Sequence, residues 1–152
     1  MNFKNDILII HSEEDGNGVQ AWTETFKEVL FKYLKQVSGR ECSIHITSSS
    51  QIKNENDLTE NAVVLPVVTQ NFVESKSCIF SLEEFIDNSR NDIKTSLKGY
   101  DRIFTISLEP FDRNLMPAKI IENHLYKFYS KDLLTEEVVR LNPFHSNEKE
   151  RD

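Results

Sequence analysis

The stretch "NDILIIHSEEDGNG" (Asn5–Gly18) decides the fold, because it joins a short apolar run to a cluster of polar side chains. Its first part, Ile7–Ile10, is an uninterrupted aliphatic run. Such runs are typical of strands that are buried on both faces, as in parallel sheets. Polar and acidic side chains follow without a gap, from His11 to Asp15. They predict either a site at the end of the strand or an ordinary solvated entry into a helix.

Strand and helix patterns alternate along the rest of the chain. Further strands are predicted over Ser43–Thr47, Ala62–Thr69, Arg102–Leu108 and, at an edge, Leu125–Tyr129. Helices are predicted after Gly18, over Ser77–Leu97, over a short Pro117–Asn123 and, as the last helix, over Thr135–Leu141. The alternation predicts an α/β fold with a central, mostly parallel sheet of about five strands.

The first helix has an apolar stripe at helical spacing, which predicts one buried face. The stripe consists of Val19, Trp22, Phe26, Val29, Leu30, Tyr33, Leu34 and Val37. Gly39 is a suitable stop signal. Pro66 lies inside a predicted strand and has no N–H to donate, so we expect a bulge or an unpaired stretch there.

Charge and cysteine content exclude several function classes. The chain has 152 residues and a net charge of −7, which disfavours binding to nucleic acid or to anionic membrane surfaces. Cys42 and Cys78 form no CxxC pair and no cluster with histidine, so no metal site is predicted. The apolar runs are far shorter than the roughly 20 residues of a membrane span, and no secretion signal is recognised. We therefore expect a cytoplasmic protein with reduced thiols and no membrane insertion.

Three stretches in order resemble the Toll/interleukin-1 receptor (TIR) domain family, in particular its bacterial members. They are "DILIIHSEED" (Asp6–Asp15), "VVLPVVTQNFVESKSC" (Val63–Cys78) and "RIFTISLEPFDRNLMP" (Arg102–Pro117). The resemblance implies a flavodoxin-like three-layer α/β fold with a mostly parallel five-stranded sheet. It implies a single TIR-like domain over residues 1–142 and a charged, flexible tail over residues 143–152. The main rival is a receiver domain, whose acceptor aspartate is missing after the third strand, where Thr69 follows Val68.

Many TIR domains cleave NAD+ with a glutamate on the helix after the third strand. The resemblance places Ser81 at that position, and serine supplies no negative charge for an oxocarbenium-like transition state. Glu84 and Glu83 are the replacement candidates, although a solvated helix surface is the simpler interpretation of both. Glu84 lies about 4.5 Å further along the helix axis than Ser81, and a misplacement of 1 Å is already costly. No catalytic residue is therefore assigned.

The polar end of the first strand provides a predicted pocket rim of His11, Ser12 and Glu14. For His11, a hydrogen-bonded structural role is the simpler interpretation. Glu14 and Asp15 are predicted to cap the first helix, where anionic side chains favour its positive end.

Two functions from different classes follow from the resemblance. The first is an interaction or assembly module without NAD+ hydrolase activity, which acts in bacterial defence signalling or in another assembly. Its partner is a second copy of the chain or another TIR-like or effector protein, and it needs no cofactor. The alternative is an NAD+-cleaving effector that uses Glu84 or Glu83, with NAD+ as substrate or ligand.

Overall fold

The structure is a computed structural model, and it describes residues 5–48, 51–52, 60–89 and 99–143. The central sheet contains β1 (Asn5–His11), β2 (Ile44–Ser48), β3 (Asn61–Val68), β4 (Thr105–Ser107) and β5 (Leu125–Lys127). The α-helices are α1 (Asn17–Ser38), α2 (Gln70–Glu74), α3 (Lys76–Ser89) and α4 (Ala118–Asn123). Two 3-10 turns cover Gly99–Arg102 and Arg113–Leu115. Two short antiparallel strands follow the sheet, β6 (Tyr129–Lys131) and β7 (Val138–Arg140).

The five strands of the sheet are all parallel and lie in the order β2-β1-β3-β4-β5. The predicted α/β fold with a parallel five-stranded sheet is therefore confirmed. The apolar run of β1 explains its central place, because Leu8, Ile9 and Ile10 are buried from both faces. β5 lies at an edge, as predicted for that segment.

Each face of the sheet has its own apolar layer. Strand residues such as Leu8, Ile10, Val64 and Val68 point towards α3 and α4. From these helices the layer receives Cys78, Leu82, Phe85 and Ile120. On the other face, Ile9, Leu65, Val67 and Ile106 meet Val19 and Trp22 of α1. The three-layer arrangement thus follows from the alternation of side chains along the buried strands.

Helix α1 confirms only part of its predicted buried stripe. Val19 and Trp22 are buried, but Tyr33 and Val37 are exposed. A helix of 22 residues is about 33 Å long, whereas the seven residues of β1 span only about 23 Å. The last turns of α1 therefore extend beyond the sheet that would cover them. Gly39 ends the helix in a left-handed conformation (φ 74°), and its N–H donates to the carbonyl of Lys35 at 2.9 Å.

Pro66 lies at an interruption of the hydrogen-bond ladder between β3 and β4. The carbonyls of Val64 and Val68 accept from the N–H groups of Phe104 and Leu108, each at 3.0 Å. Pro66 lies between them and faces the same neighbouring strand, but it has no N–H to give. The β3–β4 pairing consists of an isolated bridge before Pro66 and a continuous ladder after it. The predicted unpaired stretch is thus a gap on one side of the strand.

The predicted last helix over Thr135–Leu141 is wrong, because the chain forms a β-hairpin there. Val138 and Val139 are β-branched and pair with β6. The turn is built around Asp132, whose carboxylate accepts from the N–H groups of Leu134 (2.8 Å) and Thr135 (3.1 Å). Glu136 takes a left-handed conformation (φ 61°), which reverses the chain and is incompatible with a helix.

The other predicted elements are present, with two differences in extent. The strand predicted over Arg102–Leu108 is limited to β4 (Thr105–Ser107), because Arg102 ends a 3-10 turn, and Tyr129 belongs to β6 and not to β5. The helix predicted over Ser77–Leu97 is α3, which is described up to Ser89. The short helix predicted over Pro117–Asn123 is α4, with Pro117 immediately before it. Residues 90–98 and most of the predicted tail, residues 144–152, lie outside the described residues.

Candidate functional site

The strand order defines one crevice at which ligands bind in folds of this type. From β1 the chain crosses to β2 on one side, and from β3 it crosses to β4 on the other. The crevice between the carboxyl ends of β1 and β3 is therefore the topological switch point of the sheet. The polar residues that follow Ile10 and Val68 meet there.

Asp15 closes this crevice by binding to the segment that follows β3. Its carboxylate accepts hydrogen bonds from the Thr69 hydroxyl, with Oγ1–Oδ1 and Oγ1–Oδ2 distances of 2.8 and 3.0 Å. It also accepts from Nδ2 of Asn71 at 3.2 Å. The same Thr69 hydroxyl accepts from the N–H of Phe72 and caps α2. The carboxylate thus joins the ends of two neighbouring strands across the switch point.

The prediction that Glu14 and Asp15 cap α1 is wrong for a simple reason. The N-cap residue of α1 is Gly16, and no side chain caps it. The Asp15 carboxylate is instead directed to Thr69 and Asn71, as described above. Glu14 is exposed, and its backbone N–H donates a hydrogen bond to Oγ of Ser12 at 3.2 Å.

The predicted pocket rim is a local turn whose polar groups largely bind one another. His11 is half-buried, and its Nδ1 donates to the carbonyl oxygen of Ser12 at 3.0 Å. Ser12 is buried and its hydroxyl accepts from Glu14, so its side chain is committed within the turn. Glu13 accepts from Oγ of Ser48 at 3.5 Å, which connects the turn to the end of β2. The hydrogen-bonded structural role predicted for His11 agrees with this geometry.

Glu109, just after β4, is a second carboxylate that connects elements at the same edge of the sheet. Its Oε2 accepts from the backbone N–H of Gln70 at 3.2 Å, at the positive end of α2. Its Oε1 lies 3.7 Å from Nη2 of Arg140 in the hairpin. Glu109 and Arg140 also line a pocket of about 460 Å³ with Leu108, Pro110 and Val138. Both residues therefore position the hairpin against the sheet.

A larger groove, of about 750 Å³, is lined by residues of α2, α3 and the 3-10 turn Arg113–Leu115. Its apolar lining is Val73, Ile79, Phe80 and Leu115, and its polar lining is Glu74, Lys76, Ser77 and Glu83. Phe80 is 59% exposed, and Leu115 is also exposed. We call this feature the α2–α3 groove.

Ser81, which the resemblance to TIR domains aligns with their catalytic glutamate, is directed into the protein. It is only 7% exposed, and its hydroxyl donates to the carbonyl of Ser77 at 2.8 Å. It lies beside the buried face of α3, which consists of Cys78, Leu82 and Phe85. The hydroxyl is used within its own helix and provides no anionic group.

The two candidate glutamates point in different directions from Ser81. At about 100° per residue, Glu83 lies about 160° around the helix from Ser81, and Glu84 lies about 60° from it. Glu83 accordingly is exposed and lines the α2–α3 groove. Glu84 is half-buried on the flank of the helix next to Ser81. Glu84 is therefore the better placed of the two.

The predicted site residues separate into two groups. His11, Ser12 and Glu14 form the turn after β1, whereas Glu83 belongs to a groove whose lining contains none of these three. Reasoning from the sequence missed the contact of Asp15 with Thr69 and the pairing of Glu109 with Arg140. Thr69 directly follows β3, but Asp15 lies four residues beyond the end of β1, so the spacing in the sequence does not indicate their contact.

Residues 5–48, 51–52, 60–89 and 99–143 contain neither a metal-binding cluster nor a helix that could span a membrane. Within these ranges, no group of three or more His, Cys, Asp or Glu residues could hold a metal ion. None of the helices in the same ranges is long and apolar enough to cross a membrane.

Comparisons with known proteins identify no family for this chain. A scan against protein-family models gives no match, and a search of curated proteins gives no significant match. The fold therefore defines the class, which is that of flavodoxin-like α/β proteins with the strand order 2-1-3-4-5. Membership of the TIR family stays a prediction from the three quoted stretches.

Proposed function

We propose that this protein is a TIR-like interaction and assembly module that does not cleave NAD+. The parallel sheet supports a TIR-like scaffold, and the environment of Ser81 argues against hydrolysis. A partner is a second copy of the chain or another TIR-like or effector protein. A role in bacterial defence signalling and a cytoplasmic location belong to the same proposal.

The observation that carries the proposal is the state of Ser81. Stabilising an oxocarbenium-like transition state requires a carboxylate close to the ribose. At this position the chain has a buried hydroxyl that is bonded to the carbonyl of Ser77. A neutral group that is already hydrogen-bonded within the helix cannot replace that charge.

The switch-point crevice gives independent support. Asp15 binds Thr69 and Asn71 there, so the groups that would face a ligand bind each other. A ligand at this place would have to break those bonds and leave the buried Thr69 hydroxyl without its acceptor.

One observation favours the alternative function, that of an NAD+-cleaving effector. Glu84 lies on the same flank of α3 as Ser81, so an NAD+-cleaving effector would use Glu84 rather than Glu83. Glu84 lies about 4.5 Å further along the helix axis than Ser81, so the helix or the ligand would have to shift to bring the Glu84 carboxylate to the ribose.

The test is nicotinamide release from NAD+ by concentrated wild-type protein, E84Q and E83Q. We expect all three to match the blank without protein. E83Q is the matched control, because Glu83 carries the same charge on the outer face of the same helix. Turnover that is present in the wild type and in E83Q but absent in E84Q would contradict the proposal and establish the alternative.

A further inference from the structure

The C-terminal hairpin projects from the body of the protein. All ten residues over 130–139 are exposed, and among the described strands the three-residue strands β6 and β7 pair only with each other. A two-stranded ribbon that covers no apolar face is at best marginally stable in water. The order of the hairpin therefore depends on the contacts at its base rather than on its own short ladder.

Side-chain contacts fasten the arm that leaves the hairpin. The indole Nε1 of Trp22 donates to the carbonyl of Leu141 at 2.7 Å, in a buried position. Nη2 of Arg140 lies 3.7 Å from Oε1 of Glu109, in the segment after β4. These contacts join the returning arm to α1 on one hand and to the edge of the sheet on the other.

The arm that enters the hairpin is fastened differently. The N–H of Phe128 donates to the carbonyl of Ser107 at 2.8 Å, so Phe128 continues the ladder between β4 and β5 and belongs to the sheet. The carbonyl of Phe128 accepts from the N–H of Leu141 at 2.8 Å. The chain can therefore pivot after Phe128 when Leu141 separates, and the five-stranded sheet stays intact.

We propose that residues 129–141 form a strap that opens as one unit while the parallel sheet stays folded, and that the Glu109–Arg140 ion pair is its latch. The side chains of Arg140 and Glu109 are 32% and 35% exposed, so solvent screens their attraction and the pair breaks and re-forms readily. Elements with few buried apolar contacts open locally at a lower free energy than the whole domain. This inference goes beyond the proposed function and does not depend on whether the protein cleaves NAD+.

Opening of the strap changes the pocket of about 460 Å³ at the end of β4. The lining of this pocket comes from residues 108–110, which follow β4, and from Val138 and Arg140 of the strap. An open strap takes its share of the lining away and gives solvent access to the rest. Glu109 also accepts from the N–H of Gln70 at the start of α2, so the latch connects the strap with the switch-point edge of the sheet. The strap is thus a cover that regulates access to this edge.

Hydrogen exchange followed by NMR tests the inference without any ligand. The strap probes are the amide of Leu141 and the indole N–H of Trp22, which is the only tryptophan. The reference probes are the amides of Ile9 and Ile10, because both residues are buried in the central strand β1 and report global unfolding. We expect the strap probes to share one opening constant, at least about tenfold larger than that of the β1 amides.

The latch variants are R140M and E109Q, each of which removes one charge and keeps the length of the side chain. Each should raise the opening constant of the strap roughly two- to fivefold and leave that of the β1 amides unchanged. The double variant should open no more than the single variants, because all of them remove the same pair. The matched control is K131M, since Lys131 lies on the same hairpin and forms no ion pair within the described ranges. Added salt should move the wild type towards the latch variants.

Equal opening constants for the strap probes and the β1 amides would overturn the inference, because the hairpin would then unfold only with the whole protein. Different constants for Leu141 and Trp22 would contradict opening as one unit. Latch variants that behave like K131M would disprove the role of the Glu109–Arg140 pair. The β1 amides verify in every variant that the sheet is folded. Nicotinamide release, which tests the proposed function, is a separate readout.

Discussion

At the scale of single residues, hydrogen bonds to the Asp15 carboxylate close the crevice between β1 and β3. The carboxylate binds Thr69 and Asn71, which are 54 and 56 residues away in the sequence. Thr69 is buried, so its hydroxyl depends on this partner. A carboxylate that was predicted to cap the first helix thus connects two strand ends.

Replacing Asp15 by alanine should lower the free energy of unfolding by about 1–3 kcal/mol, because the buried Thr69 hydroxyl loses its acceptor. Urea denaturation measures the change. The control is E14A, which removes the exposed neighbouring carboxylate and should stay within about 0.5 kcal/mol of the wild type. Equal stability of D15A and E14A would show that the contact across the crevice contributes nothing.

The candidate site was predictable from the sequence only in part. The polar turn after β1 could be located from "HSEED", because an aliphatic run ends there. The use of the Asp15 carboxylate was not predictable, since an acidic residue before a helix is normally expected to cap it. Gly16 provides the cap position without a side chain, and the competing acceptor role towards Thr69 decides the outcome.

At the scale of elements, the C-terminal hairpin takes the place where a last helix was predicted. It packs against α1 through Trp22, whose Nε1 donates to the carbonyl of Leu141 at 2.7 Å. The Trp22 ring stacks on Phe26 at 5.2 Å between centroids and meets the edge of Phe128 at 5.4 Å. The aromatic cluster therefore holds the hairpin to the first helix.

W22F should lower the free energy of unfolding by about 1–3 kcal/mol, because the buried carbonyl of Leu141 loses its donor and a smaller ring leaves space. Circular dichroism during urea denaturation is the appropriate measurement, since Trp22 is the only tryptophan. Y33F on the exposed end of the same helix is the control. A loss in Y33F as large as that in W22F would contradict a specific role of the Trp22 contact.

The turn of the hairpin should respond to acid. The backbone N–H of Thr135, and then that of Leu134, lower the pKa of the Asp132 carboxyl below its ordinary value. A depressed pKa in the folded state means that the ionised carboxylate stabilises the turn at neutral pH. This stabilisation is lost as the pH falls through the lowered pKa, in the range below about pH 4.

NMR titration of the Leu134 and Thr135 amides tests this prediction. In the wild type both amides should shift together, with a midpoint below the usual range of aspartate. In D132N the amide oxygen can still accept both bonds but does not titrate, so the shifts should stay constant through this range. A wild-type midpoint at the ordinary value would show that the backbone bonds do not hold the carboxylate ionised.

The elements themselves were predictable wherever burial dominates the pattern. β1 and β3 are aliphatic runs, and the Cys78–Leu82–Phe85 face of α3 has helical spacing. The hairpin was not predicted, because the segment "TEEVVRL" (Thr135–Leu141) suits a helix as well as a strand. Its fold depends on Asp132, which lies three residues before that segment and binds the turn from outside it.

At the scale of the whole molecule, the described part of this acidic chain leaves apolar side chains exposed at the hairpin turn and in the α2–α3 groove, among other places. The exposed turn residues Leu133 and Leu134 and the α2–α3 groove lie on different elements, and neither feature is visible in the sequence alone. Leu133 and Leu134 are exposed because they lie in the turn that the Asp132 carboxylate holds. Phe80 is exposed because it lies on the outer side of α3, opposite the face that covers the sheet.

The central claim is that the scaffold lacks the carboxylate that NAD+ cleavage requires. The most direct measurement is the rate of nicotinamide release, followed by NMR, from NAD+ mixed with wild-type protein at the highest soluble concentration. The claim predicts a rate equal to that of the blank without protein. Sustained release that scales with protein concentration and disappears in E84Q would contradict it.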